Sequence, residues 1–256
     1  MNTYFAIRYE FEKMDVHKAI VERLKNNSSD YICVADGVVL NNANRKADYL
    51  AAVNGGMFSI CDSSYVPLYL RWIYGKKYEQ YCGCQIFEDI VRCEKYRMLF
   101  LGGSQEVLEG LKSNIQQWNP AVAGMSFVAL PFQTIDEFDY AGIARMIEQD
   151  GADIIWVALG APKQEYFMSR LKPHLSHGVM IGVGAVFKFY SGIDAKRAPE
   201  FMVKTHTEFL YRIMQEPKKQ LKRCAWIIYT LPGLLIDEWR RKIVESKMIS
   251  ARHAGG

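Results

Sequence analysis

Residues 151–199 read GADIIWVALGAPKQEYFMSRLKPHLSHGVMIGVGAVFKFYSGIDAKRAP, and two apolar runs within them decide the fold. Ile154–Leu159 and Val179–Val183 each end in a glycine-bearing turn. The first turn, Gly160-Ala161-Pro162, leads into a helical segment, Lys163–Leu171. Pro162 suits a first helical position, where its missing N–H costs nothing. Strand, tight turn, helix and strand make one βαβ unit of a parallel sheet. In open α/β sheets, ligands bind outside the carboxyl ends of the strands. The turns Gly160–Pro162 and Gly182–Ala185, the latter with Gly184 at its centre, both fall there. Lys163, Gln164, Glu165 and later Arg197 gather at the same end. The unpaired N–H groups of a helix start also attract anions, so a phosphate-bearing ligand is expected. The alternative is that the glycines only let strands turn tightly against helices. A lone glycine-rich turn does not decide between the two.

Outward from this unit, strands and helices alternate. Residues 1–29 are weakly patterned, with a short strand and a helix ending near Asn26-Asn27. Tyr31–Val34 is a strand running into Ala35-Asp36-Gly37, followed by a helical segment through Asn54. Met57–Cys61 is the next strand, ending at Asp62-Ser63-Ser64, and Tyr65–Tyr74 is helical with Gly75 closing it. Arg97–Leu101 is a strand; Ser104 caps a helix over Gln105–Trp118; Val122–Val128 is a further strand and Ile135–Gln149 a helix. The expected architecture is α/β, a Rossmann-like, mainly parallel sheet with helices on both faces and a basic helical C-terminal appendage. The boundary falls at Gly192–Pro199, giving a body of residues 1–195 and an appendage of residues 196–256.

Composition narrows the function classes. At 256 residues and 50% hydrophobic content, a large core is available and disorder is not expected. The N-terminus carries Arg8, Glu10 and Glu12 among its apolar residues, unlike a signal peptide, so a cytoplasmic chain is expected. Six cysteines show no zinc spacing and suit buried thiols in a reducing compartment. The five histidines do not pair at metal-ligand spacing, and no DxD-type motif stands at a strand end, so no metal is expected. From Lys196 onward, 13 Lys and Arg face 6 Asp and Glu, a net charge of +7, while the preceding body is slightly acidic. That asymmetry points to an anionic partner for the appendage; a solvated helical face is the plainer explanation.

Four blocks, LGAPKQE, GVGAVFKFYSG, KRAP and EFLYRIMQEPKK, occur in an order and spacing that resembles the WecG/TagA/CpsF family of bacterial glycosyltransferases (glycosyltransferase family 26). With weaker N-terminal matches the resemblance covers roughly residues 30–223. It implies inverting transfer of an N-acetylmannosamine-type sugar from a UDP donor to a polyprenyl-diphosphate-linked acceptor. The setting it implies is the inner face of the cell membrane, in the building of surface polysaccharide. It implies no cofactor and no nucleic-acid partner.

On this resemblance Asp62 is the catalytic base. It directly follows the strand FSIC, and a carboxylate there can take the acceptor hydroxyl proton. The family carries Asp-Gly at this place, where the chain has Asp-Ser; capping of the following helix is the structural alternative. Asp36 stands near the family's Thr-x-Asn and is the rival base or a sugar ligand. Gln164 and Glu165 match the family block fully and are expected to contact the donor, with Gly160 and Gly184 in the turns and Lys163 facing phosphate or solvent. Three departures stand out: Asp36 for Asn, Gln80 for an Arg, and Lys188 for the Asp of the GVGAxFD block. Lys188 would restore positive charge or alter donor preference. Arg212, with Lys219 and Lys222 or Arg223, would hold diphosphate, and Arg197 is expected among the polar groups of the substrate site; Lys keeps the charge of Arg but loses its bidentate geometry.

The appendage pairs basic residues with Trp226, Tyr229 and Trp239. Its longest uncharged run, Cys224–Ile236, has 13 residues and contains Pro232, too short to span a bilayer. An interfacial helix on an anionic membrane is expected. The alternative packs Trp226 and Leu231 on the core or in a homo-oligomer. Two other functions remain to weigh. A catalytically silent UDP-sugar-binding or scaffold protein would bind without turnover. A nicotinamide oxidoreductase is disfavoured, because no G-x-G-x-x-G follows the first strand.

Overall fold

The computed structural model describes residues 2–193, 202, 208–215 and 217–254. Eight strands form one sheet in the order β1-β2-β4-β3-β8-β7-β5-β6. The strands are β1 (Asn2–Tyr4), β2 (Ile7–Tyr9), β3 (Ser29–Ala35), β4 (Phe58–Cys61), β5 (Met98–Leu101), β6 (Ser126–Val128), β7 (Ile154–Val157) and β8 (Gly178–Gly182). The β1–β2 pair is antiparallel and every other pairing is parallel. This is the α/β architecture read from the sequence, with an antiparallel hairpin added where one strand was expected.

The sheet is covered on both sides, which is why its strands are apolar throughout rather than alternating with polar residues. Along β7, Ile155 and Val157 face one core while Ile154 and Trp156 face the other. The first core is closed by α2 (Gly37–Ala43), α3 (Ala47–Asn54), α4 (Val66–Tyr74), α7 (Tyr140–Asp150) and α8 (Lys163–Leu171). The second is closed by α1 (Lys13–Lys25), α5 (Gly83–Arg92), α6 (Gln105–Ile115) and α9 (Val186–Ser191). So β3 is followed by helices on one face and its neighbour β8 by a helix on the other. Connections that part to opposite faces open a crevice at the carboxyl edge, where α/β sheets bind ligands.

Several boundaries move for local reasons. The segment expected as one helix through Asn54 is two, because Asn44 ends α2 and donates Nδ2–H to the carbonyls of Phe5 and Leu40. The helix expected from Ile135 begins at Tyr140, after Asp139, which accepts the Gly142 N–H as a cap. Ser104 does cap α6, accepting from the Val107 N–H, but the helix stops at Ile115 rather than Trp118. The strand expected over Val122–Val128 is a 3-10 turn, Pro120–Gly124, and then β6. Pro162 precedes α8 as its N-cap rather than forming its first residue. Helix α5, amphipathic and capped by a Cys82–Gln85 box, carried no expectation from the sequence.

Beyond α9 a short helix, Glu208–Gln215, precedes a tail helix, Pro217–Ala254, that runs through Pro232 without ending. The expected boundary at Gly192–Pro199 lies mostly outside the described residues. The tail helix packs along α2 and α4. Its inward face carries Leu234 and a buried carboxylate, Glu238, which accepts from the Phe5 N–H (2.8 Å), the Tyr74 hydroxyl (2.9 Å) and Arg241 (3.1 Å). Thr230 bonds the buried Asn41 side chain of α2. Packing on the core is thus real for one face of the tail. Among the described residues, no helix is long and apolar enough to cross a membrane.

Candidate active site

A cavity of about 350 Å³ opens at the crevice. Its walls come from the strand ends: Val34 in β3 and Asp36 after it, Asp62 after β4, Leu159–Ala161 and Gln164 after β7, and Gly182 at the end of β8 with Val183–Val186 and Phe189 beyond it. Cys84 of α5 and Arg223 of the tail helix complete it. The register explains the pair of carboxylates. Ala35 and Cys61 are directly paired across β3 and β4, so the next residue on each strand, Asp36 and Asp62, reaches the same edge.

The two carboxylates are held differently. Oδ1 of Asp36 accepts the N–H groups of Val38 (2.8 Å) and Val39 (2.9 Å), capping α2, and Oδ2 pairs with the Arg223 guanidinium at 2.7 Å. Both oxygens are therefore engaged within the protein. Asp62 Oδ1 accepts the Gly83 N–H (2.8 Å) at the start of α5. The Asp62 carbonyl accepts from Gln80 Nε2. Asp62 does not cap α4, which starts after Tyr65 without a side-chain cap. Gln80, standing where a cation was expected, instead fixes the Asp62 backbone.

Opposite them, Gln164 is 3% exposed and links the two glycine turns. Its Oε1 accepts from the Gly160 N–H (3.2 Å), and its Nε2 donates to the Gly182 carbonyl (3.2 Å) and to Glu165 Oε1 (2.9 Å). The approach is close at Gly182, where a Cβ would sit 2.7 Å from the terminal methyl of Met168 and 3.2 Å from the Gln164 amide, so a side chain there would displace the first and crowd the second. Gly160 holds a left-handed φ of 75°, which glycine adopts at no steric cost.

The remaining expected site residues are dispersed. Glu165 is wholly buried and outside the cavity wall; its second oxygen accepts from the Tyr49 hydroxyl at 2.9 Å. Burial pushes its carboxyl up to about 7, against the hydrogen bonds from Gln164 and Tyr49 that favour the charged form. Lys163 turns away from the cavity, donating to the Gln133 carbonyl and lying over the Phe132 and Phe138 rings. Lys188 is exposed on α9, outside the wall that Val186 and Phe189 provide, and Lys222 is exposed on the tail helix. Arg197 lies outside the described residues, as do the side chains of Arg212 and Lys219 on their helices. Cys84 of α5 and Phe189 went unread in the sequence as cavity residues; for α5 the amphipathic run after Cys82 was the available signal. Among the described residues, no group of three or more His, Cys, Asp or Glu side chains is placed to hold a metal ion.

The chain is also similar to known proteins over most of its length. The profile of the Glycosyl transferase WecG/TagA/CpsF family matches residues 6–247. Two similar relatives are both described as N-acetylglucosaminyldiphosphoundecaprenol N-acetyl-beta-D-mannosaminyltransferase. The one from Bacillus subtilis is 27% identical over 175 residues, 66% of this chain and 65% of the relative. The one from Bacillus spizizenii is 25% identical over 201 residues, 77% of this chain and 75% of the relative. The chain therefore spans just under two thirds of the first relative's length.

Proposed function

The chain belongs to the WecG/TagA/CpsF family of glycosyl transferases, and from that premise we propose that it moves an N-acetylhexosamine-type sugar, N-acetylmannosamine-like, from a UDP donor to a polyprenyl-diphosphate-linked acceptor. The product would feed surface polysaccharide. The observation that carries the reading is the juxtaposition of Asp62 with the Gly160–Gln164 turn across one cavity at the sheet's switch point. Asp62 takes the acceptor hydroxyl proton as that oxygen attacks the anomeric carbon; the bond from that carbon to the diphosphate breaks, UDP leaves, and the configuration inverts. Asp36 is the poorer base, since one of its oxygens caps α2 and the other holds Arg223. Cations of the chain meet the diphosphate charge in place of a metal, with Arg223 at the cavity wall and Arg212, Lys219 and Lys222 preceding it in the same basic segment.

The acceptor is a lipid, so the enzyme works at the inner membrane face as a peripheral protein. The exposed apolar side chains of the tail helix and the net +7 of its segment support that placement. The test supplies UDP-N-acetylmannosamine and N-acetylglucosaminyl-diphosphoundecaprenol, with a chelator present. Transfer is expected, and Asp62→Asn should lower it by roughly 10²–10⁴-fold while sparing donor affinity. Donor binding with no turnover in the unmodified chain would favour a silent binding protein. Normal turnover in Asp62→Asn would remove the base assignment.

A further inference from the structure

Glu165 poses a question that the transfer chemistry does not answer. It is a fully buried carboxylate, outside the cavity, one residue from a side chain that lines it. A buried charge is costly unless it does something for its neighbours. The described groups acting on it are Tyr49 from α3, Cys33 from β3, Asp36 at the end of β3 and Gln164 beside it. None of these is cationic. Burial raises the Tyr49 hydroxyl and the Cys33 thiol, so both stay neutral near pH 7.

The Gln164 amide shows what the carboxylate does. An amide offers two N–H donors and one oxygen with two acceptor sites. One N–H goes to the Gly182 carbonyl and the other to Glu165; one acceptor site takes the Gly160 N–H. Turning the amide over would set N–H against N–H at Gly160. It would also set oxygen against oxygen at Gly182 and again at Glu165. The acceptor capacity that remains is on Oε1.

We propose that Glu165 is a positioning residue: its carboxylate, together with the Gly182 carbonyl, keeps both Gln164 N–H groups turned into the protein, so Gln164 meets a ligand only as an acceptor and selects a donor presenting an O–H or N–H there. This rests on the reading of the cavity as a UDP-sugar site. It also makes the site titratable. With its carboxyl pushed up to about 7, Glu165 is ionised above neutral pH and holds the amide there; below it the carboxyl is protonated, and the amide is held by the Gly160 and Gly182 backbone groups without the carboxylate's repulsion.

The test reads the amide first, without ligand. The Gln164 side-chain ¹⁵N–¹H signals, identified by their loss in Gln164→Ala, should shift with a midpoint near pH 7 and stay constant in Glu165→Gln. Tyr49→Phe removes a hydrogen bond that favours the charged form, so it should move the midpoint upward even if Glu165→Gln folds poorly. Calorimetry with UDP-N-acetylmannosamine then reads the consequence. Affinity in the unmodified chain should rise by up to about fourfold from pH 6.5 to pH 8.5, beyond the change seen in Glu165→Gln, which shares the ligand's own titration. An amide signal indifferent to pH, or a midpoint unmoved by Tyr49→Phe, overturns the positioning role. Equal affinities of the two chains at both pH values overturn the role in recognition. A titrating amide with no sugar nucleotide bound at any pH upholds the positioning and instead defeats the donor reading of the cavity.

Discussion

In the sheet, Phe100, Trp156 and Ile181 are wholly buried; along the tail helix, Leu221, Ile228, Tyr229, Ile236, Trp239 and Ile243 are each 40% or more exposed. The tail residues are not scattered. They fall on one stripe at helical spacing, while Arg223, Thr230, Leu234 and Glu238 fall on the opposite side and dock onto the body. A surface helix ordinarily turns its apolar face inward and its polar face to water. Here the inward face carries an ion pair and hydrogen bonds to the body around the buried Leu234, and a separate apolar stripe is left outside. The stripe continues onto α4, where Trp72, 66% exposed, meets the Trp239 ring at 5.3 Å and Leu68 stands beside it in the same helix. The body is built to hide apolar surface, and the tail is built to present it. An apolar patch of this kind marks an interaction surface, and the membrane reading gives it an occupant.

The largest expected effect breaks that contrast on the tail side. Tyr229→Asp with Ile236→Asp places two charges on the stripe at positions that support nothing in the body. Losing the burial of two large side chains costs about 3 kcal/mol or more, which is a hundredfold or greater loss of binding. Sedimentation with anionic vesicles should show it, while calorimetry should show donor affinity unchanged. Equal vesicle binding by both chains would make the stripe an oligomer contact or an idle surface.

A second expectation sharpens the body side. Glu165 has a folded pKa of about 7 against an ordinary value of 4.5. As pH rises the unfolded chain releases this proton first, so the carboxylate destabilises the fold progressively from about pH 4.5 to about pH 7. The full penalty by pH 8 is about 3 kcal/mol. Glu165→Gln does not titrate. Between pH 4.5 and pH 8 its stability relative to the unmodified chain, measured by urea unfolding, should improve by about that amount. A pH-independent difference would show that Glu165 is not strained by its charge.

The same contrast sets what could be read from the sequence. The unit β7–α8–β8 was legible because apolar runs and Gly-Pro turns are local signals, and so were the strand ends carrying Asp36 and Asp62. The break at Asn44 was not, because the hydrogen bond that makes it reaches the carbonyl of Phe5, 39 residues away. Pro232 lies inside the tail helix without ending it; the residue is exposed, so the carbonyl it leaves unmatched is open to solvent. Glu165 was expected beside the donor because it neighbours Gln164 in a shared motif. Its real partner, Tyr49, is 116 residues distant, and no local pattern tells a carboxylate facing a ligand from one facing a tyrosine.

The smallest expected effect lies where body and tail meet, at the Asp36–Arg223 pair. Asp36 does two jobs with two oxygens: Oδ1 caps α2 and Oδ2 holds the guanidinium. Asp36→Asn separates them. The amide oxygen can still accept from Val38 and Val39, so the cap survives, but the amide N–H₂ now faces the Arg223 N–H groups, donor against donor. Both side chains are partly exposed, at 25% and 33%, so solvent screens the pair and its loss should cost global stability no more than about 1 kcal/mol. Locally the effect should be larger. With that stitch gone, the tail helix around Arg223 should exchange its amide hydrogens faster than in the unmodified chain, while the part anchored by Glu238 stays protected. Asp36→Ala removes the cap as well and should add about 1 kcal/mol of destabilisation in urea. Equal stabilities for Asn and Ala would mean the cap is worth nothing here. Unchanged exchange near Arg223 in Asp36→Asn would mean that the tail is held by its apolar contacts and the Glu238 anchor alone, with the cavity and the tail independent of each other.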